Sequence, residues 1–200
     1  MDDNLADRRI RKTRELIRQA LIKLLLRKDL SAITVSELTG LADINRGTFY
    51  LHYKDVPDLF SHIENELVEE FSRYIAKYKN HSELLRMPVL GELLQYIVMN
   101  AEVCGALLRS RDSTFLARII ELSRPASTAE FRQYYKNWDE KSCNYYYDFV
   151  CFGSIGMLRR WLESGMKESV EQVTLMTEKM ISLCIQNQEV PPSVSPRSVK

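Results

Sequence analysis

Residues 34–54 (Thr-Val-Ser-Glu-Leu-Thr-Gly-Leu-Ala-Asp-Ile-Asn-Arg-Gly-Thr-Phe-Tyr-Leu-His-Tyr-Lys) constrain this chain more than any other stretch. They read as two short helices joined by a tight turn, with Val35, Leu38, Leu41, Ala42 and Ile44 folding onto one another. The second helix, Asn45 to about Tyr50, carries Asn45, Arg46, Thr48, Tyr50 and His52 as a polar, donor-rich set. A helix that short has little apolar face to bury, so it is built to display residues. A helix-turn-helix uses its second helix this way, laying it in the DNA major groove while the first crosses the backbone. The plainer alternative is a helical hairpin with a solvated face.

The run Leu38-Thr39-Gly40-Leu41-Ala42-Asp43-Ile44-Asn45-Arg46-Gly47-Thr48-Phe49-Tyr50-Leu51-His52-Tyr53 resembles the DNA-binding domain of the TetR family of transcriptional regulators. The family pattern is Ile/Leu-Ala-x-x-Ala-Gly-Val-Ser-x-Gly-Thr-Phe-Tyr-x-Tyr/His-Phe, and the match covers about the first quarter of the chain. Three positions depart from it. Thr39 replaces the usual Ala where two helices pack closely. Asp43 replaces the usual turn Gly, and Asp is among the few residues that tolerate left-handed geometry. Val56 stands where many members carry a phosphate-contacting Lys, a role that Lys54 is expected to take. The resemblance implies an all-α fold: a three-helix amino-terminal DNA-binding domain joined by a long helix to a helical ligand-binding and dimerisation domain.

The 200 residues suit one or two helical domains, and 45% hydrophobic content is enough for a core. Net charge is only +1, but residues 1–54 hold 11 basic against 7 acidic residues and residues 55–200 hold 17 against 20. A basic end on a neutral-to-acidic body fits a DNA-facing head. No apolar run is long enough to span a membrane and the acidic start does not read as a signal peptide, so a cytoplasmic protein is expected. The four cysteines (Cys104, Cys143, Cys151, Cys184) lack metal-ligand spacing and read as reduced thiols packed like small hydrophobes. No catalytic constellation, phosphate-binding Gly loop, metal motif or dinucleotide fingerprint is present, so neither an enzyme nor a cofactor is expected.

Residues 8–28 read as a first helix with Asp7 as its N-cap and Ile10, Ile17, Ala20, Leu21, Leu24 and Leu25 at helical spacing. In the family the cationic side of this helix approaches the phosphate backbone, a role open to Arg11 or Lys12. Asp55 is the expected N-cap of a long helix running to about Lys79, with Pro57 in its first turn. Further helices are expected near 88–100, 101–109, 113–123 and 128–137, punctuated by Pro88 and Pro125, then at 139–164 and 169–187. Three segments follow: a DNA-binding domain over 1–54, a regulatory and dimerisation domain over 55–188, and a disordered tail over 189–200.

The expected site residues form three groups. For DNA, Arg46 is placed to read a guanine edge; Thr48, Tyr50 and Lys54 hold phosphates with Thr34 and Ser36 as helpers; Asn45 and His52 donate. For a ligand, Tyr96, Met99, Phe115, Phe131, Tyr135 and Phe149 are pocket candidates, with plain core as the competing reading. For pairing with a second copy, the resemblance points to the last two helices. Gly153, Gly156, Met157, Trp161, Met176 and Met180 are the candidates there, close approach at the glycines being the physical reason. The reading that results is a regulator, more readily a repressor than an activator. It binds a palindromic DNA operator as a homodimer and answers a small-molecule effector that the sequence does not name. The alternative is a helical protein-interaction module whose head has changed partners, suggested by Thr39, Asp43 and Val56.

Overall fold

The computed structural model of this chain describes residues 2–78, 87–134 and 138–186. The expected tail, Tyr135 and the Asn80-His81-Ser82 break lie outside them. Among the described residues all regular structure is helical. The order is α1 (Asp2–Leu25), a 3-10 turn (Leu30–Ala32), α2 (Val35–Ala42), α3 (Arg46–Tyr50), α4 (Val56–Tyr78), α5 (Met87–Met99), α6 (Ala101–Arg109), α7 (Phe115–Tyr134), α8 (Glu140–Glu163) and α9 (Val170–Gln186).

Two compact units emerge from the packing, divided at 72/73, 98/99 and 119/120. The first is Met1–Ser72 with Met99–Ile119; the second is Arg73–Val98 with Ile120–Lys200. The first unit runs past residue 54 because α4 buries Val56, Leu59, Phe60, Ile63, Leu67 and Phe71. Side chains at that spacing form one apolar stripe of a helix, and removing such a stripe from water is the main stabilising term available. In the same unit α1 packs on α2 and on α6. Ile17, Leu21, Leu38, Leu59 and Cys104 are almost fully buried there. Burial pushes the Cys104 thiol up to about 12, so it stays protonated and packs as a small hydrophobe.

Among the described residues Glu64 is the one buried carboxylate of this unit, 5% exposed on α4. It accepts from Ser113 Oγ at 2.6 Å, from Thr114 N and Oγ1 at 2.9 and 3.1 Å, and from Phe115 N at 3.2 Å. A buried charge needs such a full set of donors. Here the donors are Ser113 and Thr114, just ahead of α7, and its first residue Phe115, so a side chain of α4 caps α7 from outside.

In the second unit Ile120, Phe131, Cys143 and Tyr147 form a core that Trp138, Tyr146, Cys151 and Ile155 surround. Gly165, at φ +81°, ends α8: its N–H reaches the Leu162 carbonyl while Met166 N–H reaches the Trp161 carbonyl. That pairing satisfies two terminal carbonyls, and it needs a left-handed residue at the Gly165 position. A reciprocal pair then opens α9, Ser169 Oγ accepting from Gln172 N and Gln172 Oε1 accepting from Ser169 N.

Two expectations about elements are corrected. Asp7 is not an N-cap, because α1 already begins at Asp2; Asp7 lies within the helix and pairs with Arg11 at 3.5 Å. Residues 113–123 and 128–137 are not separate helices, because α7 runs through Pro125. Proline removes an N–H and crowds the carbonyl four residues before it, a penalty of about 3 kcal/mol. Tertiary contacts offset it: Tyr147 Oη donates to the Ile120 carbonyl at 2.7 Å, and Arg124 bridges Glu121 and Asp148 at 2.8 Å each.

A candidate DNA-reading surface on α2 and α3

The surface begins with the two caps that define it. Thr34 Oγ1 accepts from Glu37 N at 3.3 Å and opens α2. Glu37 in turn pairs with Lys28, whose hydrogen bond holds the Glu37 carboxyl below its usual range. Lys28 also donates to the Ala32 carbonyl at 2.9 Å, so the entry to α2 is tied to the turn before it.

Helix α2 ends on Asp43 at φ 53°, ψ 48°, the left-handed residue that the sequence pattern called for. Ile44 N–H then reaches the Thr39 carbonyl at 3.1 Å, and the chain reverses. Thr39 is 3% exposed and donates its hydroxyl to the Ser36 carbonyl, which lets a polar side chain sit in a helix contact that favours Ala.

Asn45 opens α3. Its Oδ1 accepts from Thr48 N at 2.7 Å and from Thr48 Oγ1 at 3.0 Å. Gly47 leaves room for that cap, since a Cβ there would lie 3.3 Å from Asn45 Oδ1. Only five residues long, α3 is anchored by Phe49, 0% exposed. Its outward side carries Arg46, Gly47 and the Tyr50 ring, with Leu51 just beyond. Asp55 and Asp58 then fix the start of α4: Asp55 Oδ1 accepts from Asp58 N at 2.8 Å, and Asp58 Oδ2 accepts from Lys54 N at 2.9 Å.

Thr34, Ser36, Asn45, Arg46, Thr48, Tyr50, His52 and Lys54 therefore all fall within one unit, but their situations differ. Arg46, Tyr50, Lys54, Thr34 and Ser36 are exposed. Arg46 Nη2 donates to Ser36 Oγ at 2.6 Å, joining α3 to α2. Thr48 is half-buried, and its hydroxyl donates to Asn45 Oδ1 at 3.0 Å, bracing the cap. Val56, 3% exposed, belongs to the core and leaves Lys54 as the cation at this end. His52 is half-buried, and burial together with the nearby Arg14 charge holds its pKa below the ordinary histidine value.

That effect sets Arg14, which the sequence places on the cationic side of α1, near the same surface. Arg11, Arg14 and Arg18 recur at three and four residues, one stripe of α1, and that spacing was the available signal. Of these, Arg11 is paired with Asp7 and Arg18 with Glu66.

The expected ligand-pocket residues do not converge within a unit. Met99 and Phe115 belong to the first unit, where Met99 is 77% exposed and Phe115 packs edge-on against Phe71 at 5.4 Å. In the second unit Tyr96 meets Tyr74 at 5.6 Å, Phe131 is buried against Tyr146 at 4.8 Å, and Phe149 is 65% exposed. Spacing identified aromatic residues but not their neighbours.

Of the expected pairing residues, Gly153, Gly156, Met176 and Met180 are exposed and Met157 is half-buried. Trp161 is corrected: it is 4% exposed inside its own chain, and its Nε1 donates to the Glu168 carbonyl at 3.0 Å, closing the α8–α9 turn. Phe149 and Phe152, 65% and 63% exposed, share the side of α8 that carries Gly153 and Gly156. An open depression lined by Leu175, Met176, Glu178, Lys179 and Ser182 runs along α9 alone, so it has no opposite wall.

A capped helix-turn-helix, with all other regular structure among the described residues helical, is an architecture used by DNA-binding regulators. Residues 87–183 match the TetR_C_8 family, described as "Transcriptional regulator C-terminal region". A search of curated proteins returns no match. Among solved structures, the TetR transcriptional regulator of Streptococcus agalactiae 2603V is similar at 26% identity and TM-score 0.62, over 90% of this chain and 98% of that one. NalD, the secondary repressor of the MexAB-OprM multidrug efflux pump in Pseudomonas aeruginosa, is 16% identical with TM-score 0.63, over 86% and 95%. FadR of Bacillus subtilis in complex with stearoyl-CoA is 14% identical with TM-score 0.63, over 84% and 96%. Residues 87–183 are thus similar to the C-terminal region of transcriptional regulators, and the fold is the one seen in TetR regulators. Among the described residues, no helix is long and apolar enough to cross a membrane.

Proposed function

We propose that this chain is a repressor that binds a palindromic operator as a homodimer and loosens its grip when a small apolar or amphipathic effector binds its helical body. Residues 1–54 carry the reading surface, packed in one unit with residues 55–72 and 99–119, and residues 55–188 supply the regulatory and pairing helices. The observation that carries the reading is α3 itself, a five-residue helix capped by Asn45, anchored by Phe49 and presenting Arg46 and Tyr50 outward. So short a helix contributes little to a core, and a donor-rich outward side suits an acceptor-rich partner. The major-groove edge of guanine offers two acceptors to one arginine fork. Tyr50, Lys54 and Thr34, whose hydroxyl oxygen accepts from α2 and leaves its proton to give, hold phosphates around that contact.

Pairing with a second copy is assigned to the exposed sides of α8 and α9, through Phe152, Gly153, Gly156, Met176 and Met180. Two heads must then meet successive major grooves about 34–36 Å apart. NalD is a repressor and FadR is found in complex with stearoyl-CoA, and by analogy repression and an acyl-chain type of effector are proposed for this chain. An effector acts only by its differential affinity for two states, a coupling of about 1–3 kcal/mol.

The test is selection from a random duplex pool by the wild-type protein, followed by footprinting and measurement of the stoichiometry. An inverted repeat protected by two copies is expected. A pool that shows no enrichment after repeated rounds overturns the proposal.

A further inference from the structure

Arg46 and Ser36 lie ten residues apart on different helices, yet Arg46 Nη2 donates to Ser36 Oγ at 2.6 Å. Both side chains are exposed, so burial does not force them together. Their backbones are held firmly. Ser36 is the second residue of α2, behind the Thr34 cap, and Arg46 is the first residue of α3, behind the Asn45 cap. The left-handed turn at Asp43 sets one helix start against the other. A long, otherwise exposed arginine is thus tethered at the front edge of the helix that is expected to enter the groove.

The chemistry of the tether leaves the arginine able to read. Guanidinium has five N–H donors in a planar fork, and one on Ser36 leaves the others for a base edge. A side chain with many rotamers loses freedom when it docks, and holding it beforehand removes part of that cost. We infer that Ser36 is a positioning residue: it aims the Arg46 guanidinium before DNA arrives and so sharpens the reading of one guanine in each half-site. The inference rests on the DNA-reading role proposed above and changes Ser36 from a phosphate contact to the support of a base contact. It separates discrimination from grip. Loss of Ser36 blurs one base pair, whereas loss of a phosphate contact weakens all sequences alike.

The experiment compares wild type, S36A, S36T, R46A and S36A/R46A. Each is bound to the duplex that wild type selects from a random pool, and to all single-base-pair changes of that duplex, at several salt concentrations. R46A is expected to flatten the preference at one guanine per half-site. S36A is expected to lower the preference at that same pair by about 2- to 12-fold. The salt slope of S36A stays at the wild-type value, S36T restores the preference through its own hydroxyl, and the double variant is no worse there than R46A.

Wild-type discrimination in S36A overturns the inference. So does uniform weakening with a shallower salt slope, which would make Ser36 a phosphate contact, and so does sharper discrimination, which would make it a restraint. R46A with unaltered preference at every pair overturns it as well. In each of those cases wild type still selects a sequence and the proposed function stands. A wild-type protein that selects none overturns the function and this inference together. Alanine at an exposed helical position favours the helix, so S36A is expected to fold.

Discussion

On α3 the exposed side carries Arg46 and Tyr50, and the polar groups around it are tied down: Arg46 to Ser36, Thr48 to Asn45, Lys54 N–H to Asp58. On α8 the exposed side carries Tyr145, Phe149, Phe152, Gly153 and Gly156, and α9 adds Leu175, Met176, Met180 and Leu183. The first surface is small, polar and fixed in direction by hydrogen bonds. The second is long, apolar and without directional groups along much of its length. Directional donors fit a partner with a fixed pattern of acceptors, whereas an apolar stripe fits another apolar stripe. A single chain therefore carries two faces that select for different kinds of partner.

The heaviest blow to that contrast is removal of the buried anchor under the polar face. Phe49→Ala empties a 0% exposed position and is expected to destabilise the protein by about 3–5 kcal/mol, read by denaturant unfolding. Retention of wild-type stability would mean that α3 is held by its caps alone.

Gly156→Leu attacks the apolar face. A Cβ at Gly156 meets nothing within 4 Å in its own chain, so a change in association, as distinct from helix propensity, reports on a partner. Crowding a close contact is expected to weaken pairing by about 1–3 kcal/mol, measured by sedimentation over a concentration series. An unaltered dimer would remove Gly156 from the interface.

Arg46→Ala and Lys54→Ala sharpen the polar side. The first is expected to cost about 1–3 kcal/mol and to relax one base pair; the second to weaken all duplexes and reduce the salt slope by about one. Equal, sequence-independent losses in titrations would erase the distinction between reader and holder.

Asp43 tests the turn between them. With φ at 53°, Asp43→Ala is expected to lose about 1 kcal/mol of stability, and Asp43→Gly is expected to lose none. Equal melting temperatures for both variants would contradict a strained backbone.

The smallest effect is a pH dependence at His52. Its pKa lies below the ordinary value in the free protein, so it is neutral at neutral pH. A phosphate nearby raises that pKa, and binding then takes up a proton. Affinity should therefore rise as pH falls through the window between the lowered free value and the raised bound one, by at most about tenfold per pH unit for each histidine. His52→Gln should remove this slope. Stability runs the opposite way: an unfolded chain binds the proton more readily than the free fold, so the His52 contribution is lost as pH falls below the ordinary histidine range. Measurement of both slopes separates the two effects.

Short-range features were the legible ones. Thr34 and Ile44 to Tyr50 define their helices through bonds of three to five residues, which fixed spacing exposes, and the left-handed Asp43 follows from its place in the turn. Contacts over long separations were not legible. The Tyr147 bond to the Ile120 carbonyl, 27 residues away, helps α7 continue through Pro125, and no local pattern announces it. The same holds for the aromatic residues, since a helical stripe cannot tell Phe131 in a core from Phe149 at a surface. The Ser169–Gln172 box at α9 was readable in principle, as Ser-x-x-Gln ahead of an apolar run, and it was overlooked. Of the candidate site, the residue list came from pattern, while the division of labour between Arg46, Ser36 and Thr48 came from geometry.

The capping of α7 by Glu64 bears on whether the reading head can be transplanted. The unit that contains α2 and α3 is not a contiguous stretch: it needs Met99–Ile119 as well as the first 72 residues. Cut out alone, residues 1–72 would strip α1 of its α6 neighbour and leave Glu64 without the Ser113, Thr114 and Phe115 donors that make its burial tolerable. A chimera that moves this head onto another body must carry the α6–α7 entrance with it, spliced back through a second junction. In that sense the part of the chain that addresses DNA is already stitched through the middle of the sequence, and specificity cannot be exchanged here by swapping one end.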